Sequence, residues 1–482
     1  MLTPSYDGSL SPMADHDPPC TPAWVAPELT WHHVALHKAT AVSTLRRLIR
    51  EGHDQFVNLC DGAWDEDRAG IDVILELERQ GVAFTGSGSA AYEPTRQEMK
   101  LAAAAAGVGA PAGAVVKGPD DVADLAHLPW PRIVKHPSSY SSIGLVATSR
   151  VANEAEQRAQ IEVVCGQYGA ALVEEFIEGR EATVLVADGP EGPVAWPPIG
   201  IRFPEGSPGF KTFDLKWRED ESLGVDPLEP ELDARIRRDA IAFYRAVGAE
   251  GYARFDVRIP ADGVPRFLEI NANPGLFYPP DDPGSADAIL HRSPGGHRAL
   301  LQTLLDYAVA RRDNRRPTAR VALGPNGFGL VAARDIAAGE VVWPGEGQSH
   351  VLVHRAKVET WTPEDRDAFA AYAWPLTDDL YVMWHPLPSQ WRPIDHACDP
   401  NTWLVGLDLV ARRDVRSGTP LTMDYATFCG PLTRPFRCRC GAPTCREAVG
   451  PDSFLRADLP DAYVGHYSDY VARARRQRGL SA

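Results

Sequence analysis

Ala253-Arg254-Phe255-Asp256-Val257-Arg258-Ile259, followed after Asp262-Gly263 by Arg266-Phe267-Leu268-Glu269-Ile270-Asn271 and then Pro274-Gly275, decides the larger part of the chain. In the first run Arg254, Asp256 and Arg258 alternate with Phe255, Val257 and Ile259, the period-two pattern of a strand with one apolar face. In the second, Phe267, Glu269 and Asn271 share one face, with Leu268 and Ile270 on the other. Asp-Gly between two such runs signals a two-residue hairpin, because both residues tolerate the positive φ of its turn. Counting outward sets Asp256 opposite Glu269 and Arg254 opposite Asn271. Two carboxylates and an amide oxygen then gather beside a guanidinium, a hard-oxygen set suited to Mg2+ carrying phosphates. Polar alternation alone more often marks a solvated face, so segments upstream decide between the two.

Those segments are Phe56-Val57-Asn58-Leu59-Cys60-Asp61-Gly62, Phe84-Thr85-Gly86-Ser87-Gly88, Ile133-Val134-Lys135, Ser141-Ser142-Ile143-Gly144, Val173-Glu174-Glu175-Phe176-Ile177 with Glu181 beyond, and Phe213-Asp214-Leu215-Lys216-Trp217. In that order they resemble the D-alanine–D-alanine ligase branch of the ATP-grasp superfamily over residues 54–310. The resemblance implies an α/β pre-ATP-grasp domain followed by an α+β ATP-grasp fold. It implies that Lys135, Ser141 and Ser142 hold ATP phosphates, and that Glu174, Ile177 and Glu181 hold adenine and ribose. Arg96 stands where the family has a lysine that contacts ATP. Asp256, Glu269 and Asn271 become Mg2+ ligands, and Lys216, Arg254 and the Gly275 N–H become catalytic groups. The implied chemistry is phosphorylation of a carboxylate by ATP, then attack of an amine to form an amide. After Gly275 the chain reads Leu276-Phe277-Tyr278-Pro279-Pro280 in place of the family's polar residues. An apolar, aromatic acceptor site for a larger amino acid or amine is therefore expected.

The second half opens with Gly327-Phe328-Gly329-Leu330-Val331-Ala332. Glycine at the start of a strand lets backbone approach a ligand. Further on stand Asp395-His396-Ala397-Cys398-Asp399-Pro400-Asn401, then Leu421-Thr422-Met423-Asp424-Tyr425, then Cys438-Arg439-Cys440-Gly441-Ala442-Pro443-Thr444-Cys445. Four of the chain's eight cysteines fall in these segments, enough for a tetrahedral thiolate site if the chain folds back on itself. Residues 318–450 resemble a SET-domain methyltransferase with its post-SET zinc motif. The resemblance implies a mostly β SET domain in which Gly327, Phe328, Gly329, Asp395 and His396 hold S-adenosylmethionine. Tyr425 is its catalytic tyrosine, and Cys398, Cys438, Cys440 and Cys445 bind Zn2+. Asp395 replaces the family's asparagine, exchanging an amide for a carboxylate that only accepts when ionised. A closed site of four thiolates is structural as a rule, so a zinc knuckle without catalysis is the rival reading here.

At 482 residues the chain suits several domains rather than one core. The expected partition is an arm or extended strap at 1–25, an α/β domain at 26–94, the ATP-grasp domain at 95–312, a linker at 313–320, the SET and post-SET domain at 321–450 and a helical tail at 451–482. The pattern predicts helices over Thr30–Gly52, Ile71–Gln80, Lys100–Ala106 and Glu231–Val247. A net charge of −16 argues against non-specific nucleic-acid binding and suits a cationic substrate. With no apolar run fit to span a bilayer and no signal-peptide pattern, a cytoplasmic enzyme is expected, acting on amino acids or peptides, with a homodimer allowed. Bifunctional ligase and methyltransferase is the main reading. Its rivals are a protein-lysine methyltransferase whose ATP-grasp half recognises a partner, and a ligase whose SET half is non-catalytic.

Overall fold

The strand Tyr252–Ile259 pairs antiparallel with Arg266–Asn271, with Arg254 opposite Asn271 and Asp256 opposite Glu269. Beyond Asp256 the register shifts, so that Val257 faces Phe267. An extra residue on one strand flips the faces that follow it. Phe267 therefore joins Ile270, Phe243 and Phe255 in the core, while Leu268 and Glu269 both line the opposite cleft. This corrects the expectation that Phe267 shares a face with Glu269.

In this computed structural model the described residues are 1–482 apart from 12, 65, 122–124, 139–141, 190, 218–222, 316, 325–326, 347–349 and 386–390. The chain forms two units, Met1–Arg315 and Arg316–Ala482. In the first, the hairpin belongs to a sheet ordered Gly224–Pro227, Ile199–Arg202, Arg180–Gly189, Tyr252–Ile259, Arg266–Asn271, with Gly192–Ala195 beside Arg180–Gly189. Helix Pro230–Ala246 starts with proline at its first turn and acidic Glu231 and Asp233 near its positive end. It buries Ile236, Ala240, Phe243 and Tyr244; truncating a ring such as Phe243 costs about 3–5 kcal/mol. A second, antiparallel sheet is ordered Gly113–Val116, Ala171–Glu175, Arg132–Lys135, Arg150–Val151. Helix Glu154–Tyr168, capped by the Asn153 side chain, packs on it through Ile161 and Val164.

Near the N-terminus, parallel bridges join Phe56 to Phe84 and Leu2 to Asn58, with helices Ala41–Glu51 and Ile71–Gln80 alongside. The helix expected from Thr30 begins only at Ala41, because Val34–Leu36 pairs in parallel with Leu2–Pro4 and buries Leu36. Local helical periodicity yields there to a partner strand. Residues 1–25 form a strap held by that strand, by buried Met13 and by the bond from Thr21 N to Phe277 O. The expected linker 313–320 is helical to Arg315, at the end of Gly296–Arg315, and becomes strand Ala319–Gly324. Arg315 holds that helix end to Glu250 and, at 2.9 Å, to Glu78.

The second unit is mostly short strands. Ala319–Gly324 pairs with Gly327–Ala332, and Val341–Trp343, Asp408–Ala411 and Thr402–Val405 form a three-stranded sheet. Val351–His354, Leu380–Met383 and Trp374–Pro375 form another, and Asp395–His396 runs parallel to Thr422–Met423. The C-terminal helix Asp469–Gln477 buries Tyr470 and Val471 against Phe454 and Tyr463. Among the described residues no helix is long and apolar enough to cross a membrane.

Candidate functional site

A cleft in the first unit is lined from both sheets. Lys135 ends the strand Arg132–Lys135, and its Nζ lies 2.7 Å from Glu174, which is 2% exposed. Lys100 pairs with the other Glu174 oxygen. Burial alone would raise the Glu174 carboxyl, but the two ammonium groups hold it down at about 2. Lys100 was missed in sequence. Its signal is the i,i+4 spacing from Arg96 in helix Arg96–Ala105, which puts both on one helix face. Arg96 pairs with Glu269, and Arg254 with Asp256 at 3.3 Å. Glu181 sits 3.1 Å from Arg258 and 3.5 Å from Lys211, two further cations that had no assigned role. Ile177 and Ser142 line the same cleft, Ser142 at φ +60° beside Gly144 at φ +74°. Ser141 lies outside the described residues. Lys216 lies in helix Phe213–Trp217, with its side chain likewise undescribed.

Arg254 also lines an adjoining cavity, together with Asn271, Asn273, Gly275 and Tyr278. This cavity corrects the expected apolar acceptor site. Leu276 and Phe277 are each 0% exposed and pack into a core with Leu185, Ile289 and Leu300. Phe277 takes φ +63°, an unusual backbone for a bulky residue and one that clusters at ligand sites. Tyr278 returns over Gly275, and its hydroxyl donates to Asp17 at 2.6 Å. Tyr6 donates to the other Asp17 oxygen at 2.6 Å. Arg68 reaches Tyr6 Oη and Asp61, both at 2.9 Å, and Glu66 at 2.7 Å. The lining is polar and acidic.

In the second unit, a Cβ on Gly329 would stand 2.7 Å from Asp395 Oδ2, so a residue with a side chain crowds that carboxylate. Burial raises the Asp395 carboxyl. The two passing segments are tied by Asn401, whose Nδ2 donates to Pro420 O at 2.9 Å and whose Oδ1 accepts from Thr422 N at 2.8 Å. Burial lowers the His396 imidazole to about 4, against the pull of Asp424, so the ring is neutral. Its Nδ1 accepts from Tyr425 N at 3.1 Å. The Tyr425 hydroxyl donates to Ile394 O at 2.6 Å, and burial holds it well above the usual phenol range. It therefore acts as a neutral donor. Phe328, beside Gly327, is half exposed, with its ring 5.5 Å from Trp391.

The Sγ atoms of Cys398, Cys438, Cys440 and Cys445 all lie within 4.8 Å of one another. Cys398 and Cys438 are 3.9 Å apart; two thiolates on one tetrahedral zinc stand about 3.8 Å apart at normal Zn–S lengths. Backbone N–H groups of Arg446 and Glu447 donate to Cys398 and Cys445, both at 3.4 Å, a contact that favours the thiolate. The donor set and spacing fit Zn2+, and the cluster could hold it.

A family model for the D-ala D-ala ligase C-terminus matches residues 120–278, and one for the SET domain matches residues 327–426. The D-alanine–D-alanine ligase of Cupriavidus necator is 30% identical over 240 residues, 49% of this chain and 71% of that one. That of Delftia acidovorans is 33% identical over 252 residues, 51% of this chain and 74% of that one. A crystal structure of D-alanine–D-alanine ligase from Bacillus anthracis complexed with ATP aligns at TM-score 0.45 and 22% identity, over 60% of this chain and 89% of that one.

Proposed function

The chain belongs to the D-alanine–D-alanine ligase family and carries a SET domain behind its ligase residues, and on that premise we propose a bifunctional biosynthetic enzyme. One half is an ATP-dependent carboxylate–amine ligase working through an acyl phosphate. The other is an S-adenosylmethionine-dependent amine N-methyltransferase. The observation that carries the reading is the meeting of Lys135, Glu174, Arg254, Asp256 and Glu269 in one cleft lined by both sheets.

In the ligase half, Asp256, Glu269 and Asn271 would hold Mg2+, which would supply charge neutralisation for the phosphates. Lys135, Arg96 and Lys216 hold the phosphates, with help from Ser141 and Ser142. Ile177, Glu174 and Glu181 hold the adenine and ribose side. Arg254 offsets charge on the acyl centre, and the Gly275 N–H donates to the oxygen that becomes anionic as the amine attacks. The C–N bond forms as the C–O bond to phosphate breaks, and phosphate leaves with that electron pair.

S-adenosylmethionine supplies the methyl group in the other half. Gly327, Phe328, Gly329, Asp395 and His396 form its cradle. Tyr425 and the Ile394 carbonyl orient an uncharged amine in line with the methyl carbon. Cys398, Cys438, Cys440 and Cys445 would hold Zn2+ in a structural role, one that would tie residues 438–445 to Cys398. The substrates are amino acids or small peptides, and a cytoplasmic site of action suits reduced thiols.

The test is incubation with ATP, Mg2+, radiolabelled S-adenosylmethionine and an amino-acid panel. Amino-acid-dependent phosphate release, with label on a small molecule, is expected. Label on protein without such release refutes the ligase reading in favour of a protein methyltransferase.

A further inference from the structure

Resting on the ligase reading above, we propose that the cavity beside Gly275 takes a substrate with a second ammonium group, a diamino acid or a peptide with a basic side chain, and that Asp17 grips it. The apolar residues that stand there in sequence are turned away, since Leu276 and Phe277 lie wholly in the core. Facing the cavity are the carboxylates of Asp17, Asp61, Glu66, Glu93 and Asp282, against Arg68, Arg254 and the imidazole of His16. Arg68 is shared between Asp61 and Glu66, one cation for two anions. Arg254 is engaged by Asp256.

Asp17 differs from its neighbours. Its two oxygens accept the hydroxyls of Tyr6 and Tyr278, both at 2.6 Å. These donors are neutral, so they orient the carboxylate without cancelling its charge. Each oxygen keeps acceptor capacity for an ammonium N–H. The Tyr278 hydroxyl lies against Gly275, which puts Asp17 one side chain beyond the proposed oxyanion donor.

Independent of the charge count, two buried amides line the same cavity, and of their unpartnered atoms Oδ1 of Asn273 lies against Gly86 while Nδ2 of Asn271 remains as an open donor. Asn271 and Asn273 are each 8% exposed. Among the described residues, Nδ2 of Asn271 and Oδ1 of Asn273 have no hydrogen-bond partner. Asn273 is fixed from its other end, its Nδ2 donating to Cys60 O at 2.8 Å. Buried polar atoms are costly unless a partner completes them. The open Asn271 donor suits the carboxylate of a substrate's amino-acid end, and the surplus carboxylates suit a cationic side chain.

The experiment uses the full-length protein with ATP and Mg2+, and reads phosphate release. D- and L-lysine, ornithine and 2,4-diaminobutyrate are compared with neutral norleucine, norvaline and 2-aminobutyrate. The expected kcat/KM for the diamino acids is at least about tenfold higher, with the gap narrowing at high salt. Asp17→Asn lowers the ratio of diamino to neutral kcat/KM at least about tenfold. The isostere comparison uses the unaltered protein, so it decides even where Asp17→Asn does not fold. Neutral isosteres turned over as well as the diamino acids overturn the inference and leave the ligase reading standing. ATP–Mg2+ binding by calorimetry with no amino-acid-dependent phosphate release from any panel member overturns the ligase reading, and the inference with it.

Discussion

Replacing Glu174 by glutamine tests how the nucleotide cleft is held together. The carboxylate is 2% exposed and bridges Lys135 and Lys100. Glutamine keeps its shape and one acceptor oxygen, but leaves two ammonium groups facing a neutral amide. The carboxyl is held at about 2 against an ordinary 4.5, with burial opposing and the lysines prevailing. That displacement corresponds to about 3 kcal/mol of folding free energy at neutral pH. Stranding one side of a buried pair costs a similar 3–5 kcal/mol or so. Because the folded-state value lies below the unfolded one, the stabilisation is full above about pH 4.5 and drains as pH falls toward 2. In urea titrations of the full chain, the transition that ATP–Mg2+ shifts reports the first unit. Glu174→Gln is expected to lower its free energy by about 3 kcal/mol at pH 7 and about 2 kcal/mol at pH 3.5, with m unchanged. A loss under about 1 kcal/mol at pH 7, or one that does not shrink on acidification, refutes the reasoning.

Purified protein should carry one zinc per chain by atomic emission. Cys438→Ser should abolish that metal and lower the urea midpoint of the unit Arg316–Ala482 without moving the ATP-sensitive transition, since the cluster lies wholly in that unit. Tyr425→Phe removes the hydroxyl bonded to Ile394 O. It should slow methyl transfer at least about 100-fold while phosphate release stays as it was; equal loss of both activities contradicts the assignment. Asp395 is raised by burial, so the stability it supports at low pH is lost as pH rises through its folded-state value. Asp395→Asn should raise the second unit's urea midpoint at pH 7 and have little effect below pH 4, and an equal shift at both refutes it.

The sequence carried this site where the chemistry is local and failed where geometry or distance intervenes. The Asp-Gly signal is enough to place the hairpin, but the turn closes one residue earlier, with Gly263 N donating to Pro260 O at 3.0 Å, and the bulge past Asp256 makes up the offset, so that Arg254 still meets Asn271 and Asp256 still meets Glu269. The bulge just past Asp256 has no residue signature in that run, so the facing of Phe267 and Leu268 could not be read. Helix Ile71–Gln80 is legible to the residue, with Gly81 at φ +63° closing it. Val34–Leu36 is not, because its state depends on a strand at the opposite end of the strap. Tyr425, His396 and the four cysteines stand together as their motifs imply, since the site is built from short segments whose order is visible.

The substrate cavity is the clearest case of what distance hides. Its carboxylates come from Asp17, Asp61, Glu66, Glu93 and Asp282, in four separated segments, and Asp17 meets Tyr278 far away in sequence. A net charge of −16 spread over 482 residues is compatible with a cationic substrate but selects none. Leu276 and Phe277 pull a reader of the sequence the other way, toward an apolar pocket. What reverses that reading is backbone geometry: Phe277 takes φ +63°, its ring lies in the core, and Tyr278 turns back toward Asp17. Glycine takes φ +63° without strain, so it is the loss of the buried Phe277 ring that should let that turn shift and free Tyr278 from Asp17. Phe277→Gly would then weaken discrimination between lysine and norleucine while leaving the metal face at Asp256 and Glu269 untouched. Undiminished discrimination in that variant, with the fold intact by circular dichroism, would mean that the turn does not set the pocket's charge preference.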